Sequence, residues 1–325
     1  MPEPLLDVAD LTVDYLTDAA DVRAVDRVSF TVGPGEFLGI VGESGCGKST
    51  LLFGVAQLLS PPGEVTGGQV VFRGQDMVRL GREELRHIRW RDYSVVMQSA
   101  MNALNPMKSI GAQFKDTLEA HGSLSAGEIR QRSVEVLKLV GIDAAHLKSY
   151  PHQLSGGMRQ RAMIAMALLY TPQLVIMDEP TSALDVVAQR SLMSKIKDLQ
   201  RDLGFAIIFV THDMSVVSRY SDRVLVMYAG QIAEAARTDA MFERPLHPYS
   251  RGLLNAFPSV RGPRRELVGI PGAPPDLARP PSGCRFAPRC SEVMPACLTR
   301  APELFAVGDA EVRCLLYAED VKKAV

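Results

Sequence analysis

The segment GESGCGKST, Gly42 to Thr50, is the most informative part of this 325-residue chain for its fold. It satisfies every fixed position of the pattern G-x-x-x-x-G-K-[ST]. The apolar run EFLGIV, residues 36–41, precedes it as a buried strand would, and KSTLLFGVAQLL follows it with the character of a helix. A strand, a glycine-rich turn and a helix in this order predict the start of an α/β unit that binds nucleotide phosphates.

The residue types of this loop suit a bound nucleotide. Backbone N–H groups of a glycine-rich turn can surround phosphate oxygens, and the N-terminus of the next helix adds partial positive charge. Lys48 can reach the β- and γ-phosphates of ATP, and the Ser49 hydroxyl can bind Mg²⁺. We therefore expect the nucleotide to contact Gly42, Glu43, Ser44, Gly45, Cys46, Gly47, Lys48, Ser49 and Thr50.

Cys46 lies inside this loop, at a helix N-terminus and near Lys48. Both features lower the pKa of a thiol, so we expect a lowered pKa and expect alkylation to block nucleotide binding. The alternative is that Cys46 is simply a small residue that the loop tolerates.

A second motif, LVIMDEP at residues 174–180, is a hydrophobic strand that ends in two acids. Ligands of open α/β sheets bind at the C-terminal ends of the strands, so Asp178 is placed to bind Mg²⁺. Glu179 follows it and can polarise the attacking water as a general base. We predict Lys48 and Glu179 as catalytic residues of ATP hydrolysis.

A third motif, LSGGMRQR at residues 154–161, begins at a predicted helix start. Ser155 can cap that helix, and Gly156 and Gly157 leave its backbone bare, as in an anion-binding site. One ATP does not need two phosphate-binding helix N-termini from the same chain. The motif therefore suggests that two chains share their nucleotides. An ordinary capped helix is the alternative.

Composition excludes several other classes of function. The net charge of −1 and the isoelectric point of about 6.6 argue against nucleic acid as the main partner. The longest apolar run, AMIAMALLY at 162–170, falls well short of the roughly 20 residues that a membrane span needs. The first residues carry acids and no basic segment typical of a secretory signal. We therefore expect a cytoplasmic globular protein.

The remaining pattern predicts an interrupted α/β core. Residues 5–15 and 24–32 alternate like half-buried strands, whereas residues 82–170 are mainly helical. Strand-like runs return at 173–178 and 205–212, on either side of a predicted helix that ends at Gly204. That helix carries apolar residues at helical spacing, namely Leu192, Ile196, Leu199 and Leu203. Ten of the 21 prolines lie between residues 241 and 290, so we expect little regular structure there.

Taken together, the motifs GESGCGKST, VVMQSAMNALNP, LSGGMRQR, LVIMDEPTSALD and FVTHD resemble the ATP-binding subunit of an ABC transporter. The resemblance covers roughly residues 5–235. It implies an α/β P-loop NTPase fold with a RecA-like core, an antiparallel β subdomain and a helical insert. Four roles follow from it. Gln98 touches Mg²⁺ and senses the membrane partner, and Asp185 lies at the dimer interface. His212 is a third catalytic residue, the switch histidine that contacts the γ-phosphate, and Tyr15 stacks on adenine. It also implies that Ser155, Gly156 and Gly157 bind the ATP of the partner subunit.

The tail narrows the resemblance. Residues 243–260 and 267–290 are similar to the C-terminal extension of oligopeptide and dipeptide permease ATP-binding subunits. We expect a nucleotide-binding domain at 1–240, with its helical subdomain at about 82–170, and an irregular cysteine-rich extension at 241–325. The resemblance implies a peripheral subunit on the cytoplasmic face of the membrane. Its partners would be a second ATPase, two transmembrane permease subunits and, indirectly, an extracytoplasmic peptide-binding protein. A nickel or other small-solute importer and a soluble ATPase of iron–sulfur assembly are the alternatives.

Four of the five cysteines lie in this extension, with the spacing C-x5-C-x6-C-x16-C: Cys284, Cys290, Cys297 and Cys314. Structural zinc usually uses close C-x2-4-C pairs, which are missing here, and disulfides are unusual in a reducing compartment. Four thiolates also match the ligand count of a [4Fe–4S] cluster, which some members of the resembled subfamily carry at this place. A metal staple would stabilise a proline-rich tail that buries little apolar surface. Zinc, disulfides and the cluster all remain open, and we expect the cluster.

Overall fold

The structure of the chain, a computed structural model, describes residues 3–17, 20–98, 103–122, 124–182, 184–256 and 269–318. The predictions that fall on residues 99–102, 183, 257–268 and 319–325 lie outside the described residues.

The strands confirm the predicted alternating and buried runs. In chain order they are β1 (Leu6–Tyr15), β2 (Val22–Val32), β3 (Phe37–Val41), β4 (Gly63–Phe72), β5 (Gln75–Asp76), β6 (Tyr93–Val96), β7 (Leu174–Asp178), β8 (Ala206–Val210), β9 (Arg223–Tyr228), β10 (Gln231–Arg237), β11 (Phe305–Val307) and β12 (Ala310–Val312). Every residue of β3, β7 and β8 is buried, as expected of strands that are covered on both faces.

The helices are α1 (Lys48–Val55), α2 (Arg82–Ile88), α3 (Ile110–Glu119), α4 (Ala126–Leu139), α5 (Gly156–Ala167), α6 (Val186–Leu203), α7 (Met214–Tyr220), α8 (Thr238–Glu243), α9 (Pro248–Asn255) and α10 (Pro295–Thr299). None of the helices in the described parts of the chain has both the length and the apolar character needed to cross a membrane.

The chain divides into two compact units, and each unit combines three segments that are separated in the sequence. The first comprises Met1–Leu5, Val32–Phe37 and Arg79–Phe209, and the second comprises Leu6–Thr31, Leu38–Val78 and Val210–Val325. The division at residue 240 that the sequence suggested stays a prediction.

The first unit contains the helical segment and part of the parallel sheet. Strands β6 and β7 pair in parallel, with Tyr93 opposite Leu174, and β8 lies beside β7. Helix α6 ends at Gly204, whose φ of 75° lies in the left-handed region that favours glycine. Leu192, Ile196 and Leu199 of this helix are buried as predicted. Leu203, the last residue of the helix, is 37% exposed.

The second unit contains an antiparallel sheet of order β2-β1-β4-β5 and a set of strands of order β11-β12-β10-β9-β3. In the latter, β3 runs parallel to β9, whereas β10 pairs antiparallel with both β9 and β12. The expectation of an irregular tail is therefore wrong in part, because β12 extends the sheet, with Glu234 opposite Val312. The prolines leave residues 269–286 without helices or strands, but they end before this hairpin begins.

The tail also has a small core of its own. It comprises the buried residues Ala287, Cys297, Leu315 and Ala318, with Cys284 and Phe305 packed against them. The described part of the extension therefore packs as a folded layer of the second unit.

Candidate functional site

The phosphate loop connects β3 to α1 in the second unit, as the sequence predicted. The Lys48 side chain turns back into the loop, and its Nζ donates to the carbonyl oxygens of Gly42 and Glu43 at 2.8 Å each. Lys48 itself is buried. These two acceptors hold the ammonium group at the centre of the loop, where it can meet an anionic ligand.

Two glycines of the loop are required by close approach and by backbone angle. Gly47 precedes α1 with φ of 102°, and a Cβ atom there would collide with the carbonyl oxygen of Ala24. A Cβ atom at Gly42 would collide with the carbonyl oxygen of Met227. The glycines of the motif thus allow neighbouring strands to pack against the loop.

Tyr15 lies near the start of α1. Its hydroxyl is 3.1 Å from Oγ1 of Thr50, and its side chain is half-buried. This contact ties the end of β1 to the residue that follows Ser49. The stacking of Tyr15 on adenine stays a prediction.

The predicted low pKa of Cys46 is wrong. Burial raises the pKa of this thiol, which is 2% exposed, and the nearby Lys48 lowers it only in part. The Nζ of Lys48 is 3.7 Å from Sγ. The position at a helix N-terminus was visible in the sequence, whereas the burial that outweighs it was not.

The first unit brings together the predicted base and the predicted glutamine. Asp178 ends β7 and is buried, and Glu179 follows it with a left-handed φ of 44°. Nε2 of Gln98 donates to Oε2 of Glu179 at 2.8 Å. This contact holds the carboxylate in one direction, so that it can act on a water molecule.

Ser155 caps helix α5, because its hydroxyl accepts the N–H of Met158 at 3.3 Å. Ser155 is exposed, and Gly157 has open space where a side chain would stand. An exposed helix N-terminus without covering side chains can accept an anion. The ATP of a partner subunit as that anion stays a prediction.

Asp185 and His212 lie at the starts of two other helices. The carboxylate of Asp185 caps α6 by accepting the N–H groups of Val187 and Ala188 at 2.9 Å each. Beside it, Val186 and Val187 are 64% and 78% exposed. His212 is exposed and precedes Asp213, the cap of α7. The roles of Asp185 at a dimer interface and of His212 at the γ-phosphate stay predictions.

The four cysteines of the tail are free thiols. The N–H of Cys284 donates to the carbonyl oxygen of Cys297 at 2.8 Å, and the N–H of Glu292 donates to Sγ of Cys290 at 3.4 Å. Burial, with smaller contributions from the three other tail cysteines, raises the pKa of Cys314 to about 12. Among the residues that the structure describes, no group of three or more His, Cys, Asp or Glu residues is arranged to hold a metal ion.

Arg289 and Tyr249 are contacts of the phosphate loop that the sequence did not predict. The Arg289 guanidinium donates to both carboxylate oxygens of Glu43, at 2.6 and 2.9 Å, and the Tyr249 hydroxyl accepts the N–H of Glu43 at 2.9 Å. Arg289 and Glu43 are 246 residues apart, and the only signal was a basic residue inside the cysteine run.

Two segments of the chain match families of known proteins. Residues 25–182 match the family described as ABC transporter, and residues 233–297 match the one described as oligopeptide/dipeptide transporter, C-terminal region. The two segments follow one another along the chain in the order that the motifs suggested.

Relatives match over nearly the whole chain. The chain is 42% identical over 318 residues to the dipeptide transport ATP-binding protein of Caldanaerobacter subterraneus, covering 97% of this chain and 98% of that relative. It is 44% identical over 317 residues to the oligopeptide transport ATP-binding protein of Salmonella typhimurium, covering 96% and 94%.

Solved structures are similar over the part of the chain that carries the motifs. The dimeric ABC transporter cassette MJ0796 superposes with a TM-score of 0.65 at 29% identity, covering 72% of this chain and 98% of that one. The same cassette in a post-hydrolysis state bound to ADP and Pi gives a TM-score of 0.64 at 29% identity, with the same two coverages.

Proposed function

The chain belongs to the family of ATP-binding subunits of ABC-type oligopeptide and dipeptide transporters, and we propose that it hydrolyses ATP to drive the import of peptides. One observation carries the peptide cargo: the match to peptide-transport relatives extends through the C-terminal region at residues 233–297, beyond the nucleotide motifs. The alternatives, a nickel importer and a soluble ATPase of iron–sulfur assembly, are not favoured by these relatives.

The proposed chemistry is an in-line attack of water on the γ-phosphorus of ATP. The carboxylate of Glu179 accepts a proton from the water as the new P–O bond forms and the bond to ADP breaks. Lys48 and the loop N–H groups offset the charge that develops on the phosphate oxygens. The hydrogen bond from Gln98 supports this role, because it limits the directions in which the carboxylate of Glu179 can point.

We take Ser49, Gln98 and Asp178 as the side chains that would hold Mg²⁺. A hydroxyl, an amide oxygen and a carboxylate are the hard oxygen donors that this cation prefers. When bound, Mg²⁺ neutralises charge between the β- and γ-phosphates. The burial of Asp178 at the end of β7 supports the assignment, because a buried carboxylate normally meets a cation or a donor.

We further propose that two ATPase subunits share their nucleotides. Ser155, Gly156 and Gly157 would then contact the ATP of the partner, with Asp185 at the interface, His212 at the γ-phosphate and Tyr15 on adenine. The bare helix start at Gly157 and the exposed side chains of Val186 and Val187 support this arrangement. The similar cassette MJ0796 is itself described as dimeric.

The partners and location follow from the same proposal. The second ATPase would be a different subunit, two permease proteins would span the membrane, and an extracytoplasmic peptide-binding protein would deliver cargo. The chain would lie on the cytoplasmic face as a peripheral subunit. It would comprise a nucleotide-binding domain at 1–240, including the helical subdomain at about 82–170, and an extension at 241–325.

We also propose that the extension binds a [4Fe–4S] cluster through Cys284, Cys290, Cys297 and Cys314. The four thiols are free, which supports this assignment because cluster ligands are cysteines that form no disulfide. The N–H donated to Cys290 supports a thiolate, since iron–sulfur ligands commonly accept such bonds. When bound, the cluster would link the segments that carry the four cysteines and so stabilise the folded extension.

The transport proposal is tested by purifying the tagged chain from its own membranes and identifying what accompanies it. We expect two membrane-spanning proteins and a second ATPase, and ATP-dependent uptake of labelled peptide by proteoliposomes that contain this complex. The Glu179→Gln variant should assemble normally but lose uptake. Uptake of nickel in place of peptide, or a chain that purifies without membrane proteins, would refute the proposal.

The cluster is tested by measuring iron, sulfide and zinc per chain after purification without oxygen. About four irons and four sulfides, lost in Cys290→Ser, are expected. One zinc per chain, or no metal at all, would overturn the cluster and leave the ATPase assignment in place.

A further inference from the structure

Glu43 of the phosphate loop is held at three points. Its N–H donates to the hydroxyl of Tyr249 at 2.9 Å, and its carbonyl oxygen accepts the ammonium of Lys48 at 2.8 Å. Its carboxylate accepts two hydrogen bonds from Arg289, at 2.6 and 2.9 Å. Glu43 is therefore a residue through which the part of the chain after position 240 contacts the loop.

The guanidinium of Arg289 is also held in place by residues other than Glu43. Its Nε donates to the carbonyl oxygen of Pro271 at 2.8 Å, and its Nη2 lies 3.4 Å from the carbonyl oxygen of Ile270. The guanidinium also lies over the ring of Tyr228, 5.8 Å from its centroid. Only 4% of the Arg289 side chain is exposed. A guanidinium with this many fixed contacts can orient a carboxylate without losing further freedom.

The second contact on the loop is equally well supported. Tyr249 is fully buried in an aromatic layer, with ring centroids 4.6 Å from Tyr228 and 5.4 Å from Phe286. It lies in α9, and Arg289 lies in the 3₁₀ turn Ala287–Arg289, directly before Cys290. Both contacts on Glu43 thus come from residues that follow position 240, outside the matched segment 25–182.

A link that only stabilised the contact between the extension and the loop would not need a bidentate ion pair. A buried ion pair offers little stability over well-packed apolar side chains, because desolvation offsets the attraction. A bidentate pair does fix the direction of a carboxylate and of the backbone that carries it. In a loop whose N–H groups must converge on phosphates, such fixation lowers the cost of ordering on binding.

We propose that Arg289 is a positioning residue for ATP, which fixes the phosphate loop through Glu43, so that the folded extension sets the affinity of the chain for nucleotide. This inference rests on the proposed function, in which residues 42–50 bind ATP. If the loop is held in place before binding, loss of the link lowers the affinity, because part of the binding free energy is then spent on ordering the loop. The chemical step changes less, since Arg289 does not touch the reacting atoms.

The test uses the full chain and compares three single variants, Arg289→Met, Arg289→Lys and Glu43→Gln. A double variant combines Arg289→Met with Glu43→Gln. Arg285→Met is the matched control. Arg285 is also a mostly buried arginine of the extension, and it pairs with Asp26 at 2.6 Å, but Asp26 lies outside the phosphate loop. Three quantities are measured for each variant: Kd for a fluorescent ATP analogue, KM and kcat for ATP, and Tm without nucleotide.

We expect Arg289→Met to raise Kd and KM roughly ten- to a hundredfold, while kcat at saturating ATP changes less than about threefold. Arg289→Lys keeps the charge but loses the bidentate geometry, so it should fall between wild type and Arg289→Met. The double variant should bind about as well as the weaker single variant, because both changes break one link. Arg285→Met should lower Tm with little change in KM.

Two results would overturn the proposal. One is an Arg289→Met protein with lower Tm but unchanged Kd and KM, which would make the link merely structural. The other is an equal rise of KM in Arg285→Met, which would make the effect a general loss of stability. If Arg289→Met does not fold, Glu43→Gln decides alone, since unchanged affinity in that variant contradicts the proposal. A wild-type chain that does not bind ATP would instead refute the nucleotide assignment.

Discussion

Gln98 and Glu179 are joined by a hydrogen bond of 2.8 Å from the amide Nε2 to the carboxylate Oε2. The two residues are 81 positions apart in the chain. Glu179 also has a left-handed φ of 44°, a backbone conformation that costs of order 1–3 kcal/mol for a residue other than glycine. A strained residue whose carboxylate is oriented by a neighbouring amide is typical of a site where direction matters more than stability.

The first prediction concerns this carboxylate. Glu179→Gln should lower kcat for ATP hydrolysis by roughly 10²- to 10⁴-fold, because an amide cannot accept the proton of the attacking water. The Kd for ATP should stay within about threefold of wild type, since binding uses other groups. Phosphate release and binding of a fluorescent ATP analogue measure the two quantities. A variant that retains most of its hydrolysis would show that another group is the base.

Gln98→Ala provides the companion measurement. It removes the hydrogen bond to Glu179 but leaves the base in place, so kcat should fall by less than in Glu179→Gln. A fall as large as that of Glu179→Gln would mean that the proposed Mg²⁺ contact of Gln98, rather than the orientation of Glu179, dominates its contribution.

A second prediction separates two roles of Asp185. Its carboxylate caps α6 through two N–H groups, so Asp185→Ala should lower the free energy of unfolding by about 1 kcal/mol. Asp185→Ser keeps a capping oxygen and should recover most of that loss. Urea unfolding measures this effect. If Asp185 also lies at a dimer interface, both variants should weaken ATP-dependent dimerisation of the Glu179→Gln background. Normal dimerisation of the serine variant would limit Asp185 to its capping role.

The third prediction is a loss of stability in acid that is caused by His247. Burial, together with a smaller effect of Arg251, lowers the pKa of this imidazole to about 4, although a hydrogen bond to the backbone of Arg313 partly opposes the shift. Nδ1 accepts the N–H of Tyr249, so the neutral ring caps α9. The folded chain therefore favours the neutral form, and the unfolded chain takes up the proton first. Stability is complete above about pH 6.5 and falls as the pH drops toward 4.

The expected loss over this range is roughly 3 kcal/mol of unfolding free energy. His247→Asn keeps an acceptor at the cap but cannot titrate, so its unfolding free energy should change much less between pH 7 and pH 4.5. Glu234, whose carboxylate accepts the N–H of His247, is present in both proteins. The difference between their urea midpoints therefore reports the imidazole. Parallel curves for the two proteins would show that other groups cause the acid sensitivity.

The fourth prediction concerns the reactivity of Cys46. Because burial shields this thiol and raises its pKa, iodoacetamide should modify it at least about a hundredfold more slowly in the folded chain than in urea at the same pH. Mass spectrometry of the peptide that contains residues 42–50 measures the rate. Equal rates in the folded and unfolded chains would show that the phosphate loop opens readily and that the thiol is not protected.

Local patterns in the sequence were sufficient for much of the fold. The strand, turn and helix around residues 36–55 and the end of α6 at Gly204 depend on residues that are neighbours in the chain. The cap at Ser155 depends on a hydroxyl three residues before the N–H that it accepts. Helix capping and apolar periodicity depend on residues that are only a few positions apart. The residue types and spacing in the sequence therefore predicted these features directly.

Other features required the folded chain. The β12 strand extends the sheet at β10, although the extension at 241–325 was expected to be irregular. Burial reversed the pKa shift expected for Cys46, and the exposed position of Leu203 broke the periodicity of its helix. In each case the outcome depends on which distant segment covers the residue, and spacing along the chain carries no information about that.

The nucleotide motifs, their order and their family could be recognised from residue types and spacing along the chain. The contacts of Arg289 with Glu43 and of Gln98 with Glu179 join residues 246 and 81 positions apart and form only in the folded chain. The physical reason is that a guanidinium or an amide has many possible partners in an unfolded chain. Packing of the strands, helices and aromatic layer that carry these groups leaves only a few defined partners within hydrogen-bonding distance.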